Sequence, residues 1–182
     1  MPDLKSAWEF LENSDLVASA AEVQGAIDRL AAEITQAMAA EYPLVLVVMG
    51  GAVVFAGQLL PRLRLPLDFD YVHATRYGAA IQGGGIDWKV TPPEHVRGRS
   101  LLVLDDILDG GQTLRAISDR LLALGAKRVR CAVLVEKDLP RAKPITADFV
   151  GLRIPDRFVF GCGMDAKGYW RNLPEIRAIR GQ

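Results

Sequence analysis

The segment 101–114 restricts the possible folds of this chain more than any other stretch of its sequence. Four apolar residues suited to a buried strand run into two adjacent carboxylates, Asp105 and Asp106, and a third carboxylate, Asp109, follows closely. The tetrapeptide Gly-Gly-Gln-Thr at 110–113 comes next, and an amphipathic segment begins there. This pattern predicts a strand, an acidic strand end, a tight glycine loop and the start of a helix.

Such a loop favours a ligand that carries several kinds of polar group. Backbone N–H groups at the start of a helix attract phosphate, and adjacent carboxylates favour a divalent cation or sugar hydroxyls. A ligand with phosphate, hydroxyls and bound Mg²⁺ fits better than any one of these groups alone. The plain alternative is a polar loop whose aspartates only cap a helix. The chain contains neither a Walker A motif nor a GxGxxG motif, which argues against a P-loop enzyme or a Rossmann dehydrogenase.

Strands and helices alternate along the chain, which predicts an α/β fold with a mainly parallel sheet covered on both faces. Hydrophobic periodicity predicts helices over 20–41, 52–63 and 113–124, and strands over 44–49, 69–75, 86–90, 101–105, 129–135, 149–154 and 158–161. We expect 86–90 to pair back on 69–75 as a hairpin. Ligands in such folds bind beyond the carboxyl ends of the strands, where the loops 50–51, 105–113 and 136–138 should converge.

The composition limits the class of protein. Lys+Arg and Asp+Glu are balanced at 22 each, so nothing favours nucleic acid as the main partner. Two cysteines, Cys131 and Cys162, without a secretory segment indicate free thiols in a reducing compartment. No stretch reaches the ~18 apolar residues of a membrane span. These features predict a soluble cytoplasmic protein with no membrane partner, formed by one domain over 1–182.

Several segments of the chain together resemble those of a known protein family. The segment 101–114 resembles the PRPP-binding signature of type I phosphoribosyltransferases, and the region from about Leu44 to Arg177 resembles their hypoxanthine-guanine branch. The stretches that carry the likeness are Val47–Ala52, Thr75–Gly78, Leu134–Lys137, Asp148–Gly151, Ile154–Val159, Asp165 and Tyr169–Leu173. The resemblance implies the type I phosphoribosyltransferase fold: a core at about 40–150, a small hood subdomain from 1–18 and 151–182, and a flexible lid loop.

The resemblance also assigns residues to PRPP. Those that bind it would be Asp105, Asp106, Asp109, Gly110, Gly111, Gln112 and Thr113. Asp105 and Asp106 would contact the ribose hydroxyls, directly or through Mg²⁺, and the backbone up to Thr113 would hold the 5′-phosphate. Asp109 matches the candidate general base at purine N7, a position where a carboxylate can accept a proton.

The same resemblance assigns residues to the purine and to pyrophosphate. Lys137 would donate to the purine 6-oxo group, and Phe158 would stack on the ring. The backbone of Val159 and the carboxylate of Asp165 would face the N1/C2 edge, and Asp165 would also reach a second Mg²⁺. Pyrophosphate would be bound by Gly50, Gly51 and Arg171. The alternatives without function are that Lys137 is a solvated surface residue, that Phe158 belongs to the core and that Arg171 is a free surface residue.

A glycine-rich stretch at 75–85 is expected to form the lid, with Arg76, Tyr77 and Gly78 in it. A lid that closes over the reacting centre would exclude water and suppress hydrolysis of PRPP. The alternative is a disordered loop without function. We favour the lid, because long mobile loops in compact domains are often functional.

Two positions depart from the family pattern. Gly50 stands where the pyrophosphate loop usually has lysine, and Gly110 stands where the PRPP loop usually has threonine. The family often has a non-proline cis peptide at the position of Met49-Gly50. We expect weaker PRPP affinity than in a typical member, with activity retained.

The implied reaction is purine salvage: hypoxanthine or guanine and PRPP give IMP or GMP and pyrophosphate, with Mg²⁺. A phosphoribosyltransferase for xanthine, adenine or uracil is a first alternative. Lys137 favours a 6-oxo group over a 6-amino group, because an ammonium can only donate. A second alternative is a non-catalytic regulator that senses PRPP or nucleotides. Family members form dimers or tetramers, so a homodimer or homotetramer is expected.

Overall fold

The computed structural model describes residues 3–76 and 86–181, which form four α-helices and nine strands. The helices are α1 (Leu4–Glu12), α2 (Ala20–Met38), α3 (Val53–Leu59) and α4 (Gln112–Ala123). The strands are β1 (Ser14–Ala18), β2 (Leu44–Met49), β3 (Asp68–Arg76), β4 (Ile86–Val90), β5 (Ser100–Leu108), β6 (Arg128–Asp138), β7 (Phe149–Pro155), β8 (Val159–Phe160) and β9 (Ile176–Ile179). Short 3₁₀ helices span Leu60–Arg62 and Glu94–Val96.

The larger sheet has six strands in the order β4-β3-β2-β5-β6-β7. All neighbouring strands are parallel except the hairpin of β3 and β4, so the predicted parallel sheet and its hairpin are confirmed. Because β2, β5 and β6 run in the same direction, their carboxyl ends meet at one edge. The loops after these strands are therefore brought together, as predicted.

Helices cover both faces of this sheet. The residues of α2 at the predicted helical spacing are fully or almost fully buried, and they pack with α3 against one face. The apolar residues of α4 pack against the other face. A capping box between Ser19 and Glu22 starts α2, which ends at Met38, slightly before the predicted boundary.

Several other predicted elements have different limits in the structure, and three of these differences bear on the site or on the helix boundaries. Strand β5 continues to Leu108, past the predicted end at Asp105, so Asp106 also lies within the strand and not in the loop after it. Strand β6 likewise extends to Asp138. The helix predicted over 52–63 ends as α3 at Leu59, and a 3₁₀ turn that contains Pro61 follows, because proline cannot supply the backbone N–H that a longer α-helix needs.

A second sheet has the order β1-β9-β8 and is antiparallel. Strands β1 and β9 and helix α1 were not predicted from the sequence pattern. Helix α1 packs on the segment before β9: Trp170 Nε1 donates to the Ala7 carbonyl at 2.6 Å, and the rings of Trp8 and Trp170 meet edge-on at 5.0 Å. None of the helices in the described ranges has the length and apolar character needed to cross a bilayer.

Candidate active site

The loop between β5 and α4 is shaped by Gly111. This residue has φ +81° and precedes the first turn of α4, which has no side-chain cap. A Cβ at Gly111 would lie 3.3 Å from both Ile145 and Pro144, so the position is also sterically restricted. The first N–H groups of a helix have no intrahelical acceptor. A helix start of this kind favours an anionic group, which is the class of ligand predicted for this loop.

A cavity of about 330 Å³ lies over this loop. Its walls contain the whole of 105–114, together with Gly51 after β2 and the distant Arg171. The structure thus brings the predicted PRPP-binding residues and two of the three predicted pyrophosphate-binding residues to one cavity.

Gly50 is the third residue predicted to bind pyrophosphate. It lies in the sequence between Met49 and Gly51, which both line this cavity. The Met49-Gly50 peptide bond is cis. In the part of the chain that the structure describes, no atom outside the neighbouring residues lies within 4 Å of the position that a Cβ of Gly50 would take. At Gly51 a Cβ would overlap the carboxylate of Asp106, and at Gly163 it would overlap the carbonyl of Gly51. The backbone at 51 therefore touches both the acidic pair and the segment near Arg171.

Asp105 and Asp106 form a desolvated acidic pair. Burial raises the pKa of Asp105 well above its usual range, and the adjacent charge of Asp106 raises it further. Burial also raises the pKa of Asp106, although hydrogen bonds with Asp105 and Ile107 and the charge of Arg171 act in the opposite direction. A divalent cation fits this pair, since adjacent carboxylate oxygens are the hard ligands that Mg²⁺ prefers and their uncompensated charge disfavours the metal-free ionised state.

The acidic pair does not form a complete metal cage on its own. Within the described residues, no group of three or more histidine, cysteine, aspartate or glutamate side chains is arranged to hold a metal. A cation at Asp105 and Asp106 would therefore take further ligands from the substrate or water, which is the usual mode for Mg²⁺ in phosphate-transfer sites.

A second cavity of about 310 Å³ adjoins the first. Its walls are Asp106, Ile107, Asp109, Lys137, Phe158, Val159, Met164 and Asp165. All four predicted purine-binding residues are among them. Asp106, Ile107 and Asp109 line both cavities, so the two are joined at the acidic end of β5.

Phe158 is 43% exposed, so it is a wall residue and not part of the core. Met164 is buried and was not predicted; its only sequence signal was its place beside Asp165.

Lys137 lies at the base of the second cavity with its side chain 11% exposed. Its ammonium nitrogen is 3.4 Å from Asp109 Oδ2 and 3.4 Å from Asp156 Oδ1. Its carbonyl accepts a hydrogen bond of 2.5 Å from Lys143 Nζ, which also pairs with Glu136 at 3.0 Å. Asp156 was noted only as part of a motif and not as a site residue.

Arg171 connects the two cavities. It forms an ion pair with Asp165 on the purine side and donates to the Gly163 carbonyl at 2.6 Å. Asp165 is further oriented by the backbone N–H of Gly168, at 2.6 Å from Oδ2. The two predicted ligand-binding residues therefore hold each other in place.

Tyr77 and Gly78, which were predicted to form the lid, lie outside the described residues, as does the side chain of Arg76. The backbone of Arg76 pairs with Ile86 in the β3-β4 hairpin, and Thr75 pairs with Asp87.

The two cysteines have no features of a nucleophile. Burial raises the pKa of Cys131 to about 12 and that of Cys162 to about 11. Both thiols therefore stay protonated near neutral pH, and the thiolate is the reactive form.

Comparison with known proteins agrees with this geometry. A family model described as a phosphoribosyl transferase domain matches residues 14–167. The hypoxanthine-guanine phosphoribosyltransferase of Bacillus subtilis is 32% identical over 87% of this chain and 89% of its own length. That of Aquifex aeolicus is 31% identical over 87% and 90%.

Solved structures give the same result. A hypoxanthine-guanine phosphoribosyltransferase of Bacillus anthracis superimposes with a TM-score of 0.81, at 28% identity, over 90% of this chain and 96% of that one. With its two joined cavities and these relatives, the chain belongs to the hypoxanthine-guanine phosphoribosyltransferases, within the phosphoribosyl transferase domain family.

Proposed function

We propose that this protein transfers the 5-phosphoribosyl group of PRPP to hypoxanthine or guanine, giving IMP or GMP and pyrophosphate. The observation that carries the proposal is the junction of the two cavities at Asp106, Ile107 and Asp109. One cavity has an anion-binding helix start and an acidic pair, and the other has a lysine, an exposed aromatic ring and a carboxylate. A sugar phosphate in the first would meet a planar base in the second at that junction.

On the PRPP side, the start of α4 and the Thr113 hydroxyl bind the 5′-phosphate. Asp105 and Asp106 bind the ribose hydroxyls and hold Mg²⁺, and we propose Asp165 for a second Mg²⁺. When bound, Mg²⁺ offsets the negative charge that grows on the leaving pyrophosphate. Arg171 and the backbone of Gly50 and Gly51 bind that pyrophosphate.

On the purine side, Lys137 donates a hydrogen bond to the 6-oxo group, and Phe158 stacks on the ring. Asp109 accepts the N7 proton, or it stabilises the purine base as charge shifts at N9. The backbone of Val159 and the carboxylate of Asp165 face the N1/C2 edge. The sugar carbon gains oxocarbenium character as pyrophosphate departs, and the neighbouring carboxylates stabilise this positive charge.

The test is a panel of nucleobases incubated with PRPP and Mg²⁺, with nucleotide formation followed by chromatography. Hypoxanthine and guanine should be turned over, and adenine should not, because Lys137 can only donate and adenine presents an amino group in place of the 6-oxo oxygen. Turnover of adenine alone would contradict the 6-oxopurine assignment. Binding of PRPP without turnover of any base would favour a nucleotide-sensing regulator.

Lys137→Ala is expected to raise the KM for hypoxanthine by about tenfold or more, the scale of one charge-assisted hydrogen bond, with little change in the KM for PRPP. Calorimetric titration with each ligand separates the two effects. Lys127→Ala is the matched control, since Lys127 is exposed and lies just before β6, at the end of the strand opposite to Lys137. A comparable loss of PRPP binding in Lys137→Ala would argue against the assigned role.

Gly110→Thr is expected to lower the KM for PRPP by a few-fold to tenfold, the scale of one added hydrogen bond to the phosphate. The substitution requires the Gln112 side chain to move, because its Oε1 would lie 2.5 Å from the added Cβ, and the end of this exposed, flexible side chain can shift. Gly110→Val is the control, as it has the same shape without the hydroxyl. If both variants leave the KM unchanged, Gly110 is not a cause of weaker PRPP binding.

We further propose that the chain is one domain whose β1-β9-β8 sheet is the hood over the purine, and that it assembles as a homodimer or homotetramer. Light scattering coupled to gel filtration would give the oligomeric state. Two buried free thiols fit a reducing, cytoplasmic compartment.

A further inference from the structure

Lys137 is placed between two carboxylates, of which only Asp109 has a role in the proposed reaction. The two ion-pair distances are equal at 3.4 Å, and both aspartate side chains are 56% exposed while that of Lys137 is 11% exposed. Within residues 3–76 and 86–181, these are the two carboxylates that form an ion pair with Lys137. The ammonium is thus largely removed from water and depends on them for neutralisation.

The backbone on both sides of Asp156 is held by neighbouring elements. It follows β7, whose Ile154 and Pro155 pair with Lys137 and Asp138 of β6. The next residue, Arg157, pairs with Asp15 of β1 at 2.7 Å, and its side chain also reaches the Ile179 carbonyl of β9 at 3.2 Å. The turn that carries Asp156 is therefore anchored to both sheets.

The charge balance around Lys137 changes during the proposed reaction. When Asp109 binds the N7 proton, its negative charge is directed at the base and no longer fully at the ammonium. Asp156 then remains as the counter-charge of Lys137. Without Asp156, Lys137 would pair with Asp109 alone, which would turn the ammonium away from the 6-oxo group and engage the carboxylate that should face N7.

We infer that Asp156 is a positioning residue that holds the Lys137 ammonium toward the purine and leaves Asp109 available for N7. This inference rests on the proposed function, because it assigns Lys137 to the 6-oxo group. It predicts that loss of Asp156 impairs the use of the purine base, because Lys137 is no longer held toward it, and leaves PRPP binding unaffected.

The test compares wild-type protein with Asp156→Asn and Asp156→Glu in steady-state assays with hypoxanthine and PRPP. Asp156→Asn should lower kcat/KM for hypoxanthine about tenfold, equivalent to ~1.4 kcal/mol, and leave the KM for PRPP within about twofold. Asp156→Glu should restore most of the loss. Asp119→Asn is the matched control, since Asp119 is 53% exposed and pairs with Arg115 at 2.7 Å on α4.

A double-mutant cycle with Lys137→Met separates positioning from a structural role. If Asp156 acts through Lys137, Asp156→Asn should cause no further loss in the Lys137→Met background. A full additional loss there, an equal rise in the KM for PRPP, or wild-type kinetics of Asp156→Asn would each overturn the inference. Absence of 6-oxopurine turnover by the wild-type protein would instead refute the proposed function.

Discussion

Asp109→Asn is expected to lower kcat by about 10²–10⁴-fold, the usual contribution of a general acid or base, with a much smaller change in the KM for PRPP. Asparagine keeps the size of the side chain but cannot take up the N7 proton. Asp109 also sits at the junction of the two cavities, beside Lys137. Its loss should therefore affect the chemical step more than the binding of either substrate.

Single-turnover kinetics together with calorimetric binding of hypoxanthine would check this result. A fall in kcat with base affinity preserved supports the proton-accepting role. Equal losses in affinity and turnover would instead make Asp109 a residue that positions the base. Asp119→Asn again serves as a control for removing one exposed carboxylate.

Asp105→Asn is expected to abolish most activity and to stabilise the ligand-free protein at the same time. Activity should fall about 10²-fold or more, the scale of losing a preorganised electrostatic contact. Stability should rise because burial and the charge of Asp106 raise the pKa of Asp105, so its ionised form is disfavoured in the folded state. Removing that charge at neutral pH should therefore raise the free energy of unfolding of the metal-free protein.

The pH dependence of this stabilisation has a definite sign. A carboxyl with a raised pKa binds its proton more tightly when folded, so the wild-type protein loses stability as pH rises from the ordinary aspartate pKa through the raised one. The amount by which the Tm of Asp105→Asn exceeds that of the wild-type protein should therefore be largest at neutral pH and should decrease as the buffer is acidified. Thermal melts in metal-free buffer at several pH values measure it.

Added Mg²⁺ provides a second measurement on the same two proteins. A cation that binds only the folded state raises its Tm, so Mg²⁺ should stabilise the wild-type protein more than Asp105→Asn. An equal Mg²⁺ response in both proteins, or a lower Tm of the variant in metal-free buffer, would contradict the role given to the acidic pair.

The larger sheet and its ligand edge could be predicted because their signals are local. The apolar run before Asp105, the glycine pair and the periodicity of α4 all lie within one short segment. The same holds for α2, whose apolar spacing and capping box lie in consecutive turns. Strand ends were less accurate, since β5 continues through Asp105 and Asp106 although paired carboxylates normally indicate a loop.

The second sheet lacked such a signal. Strand β1 pairs with β9, with Ser14 opposite Ile179, and nothing in either short segment indicates a partner so far along the chain. Asp156 was missed for a similar reason: its contact with Lys137 depends on the parallel register of β6 and β7. The roles of Lys137, Phe158 and Asp165 came from family resemblance, since no spacing rule connects these three residues.

The order of the strands has a consequence for synthesis of the protein. Strand β9 is the middle strand of its sheet, and it is translated after every other described strand. The backbone N–H of Ile179 in β9 donates to the carbonyl of Phe158 at 3.1 Å, and Val159 pairs with Ala178. Strands β1 and β8 both pair with β9, so their hydrogen bonds to it can form only after the last strand of the chain has been made. The proposed base-binding wall at Phe158 and Val159 is therefore the part of the site that gains its support last.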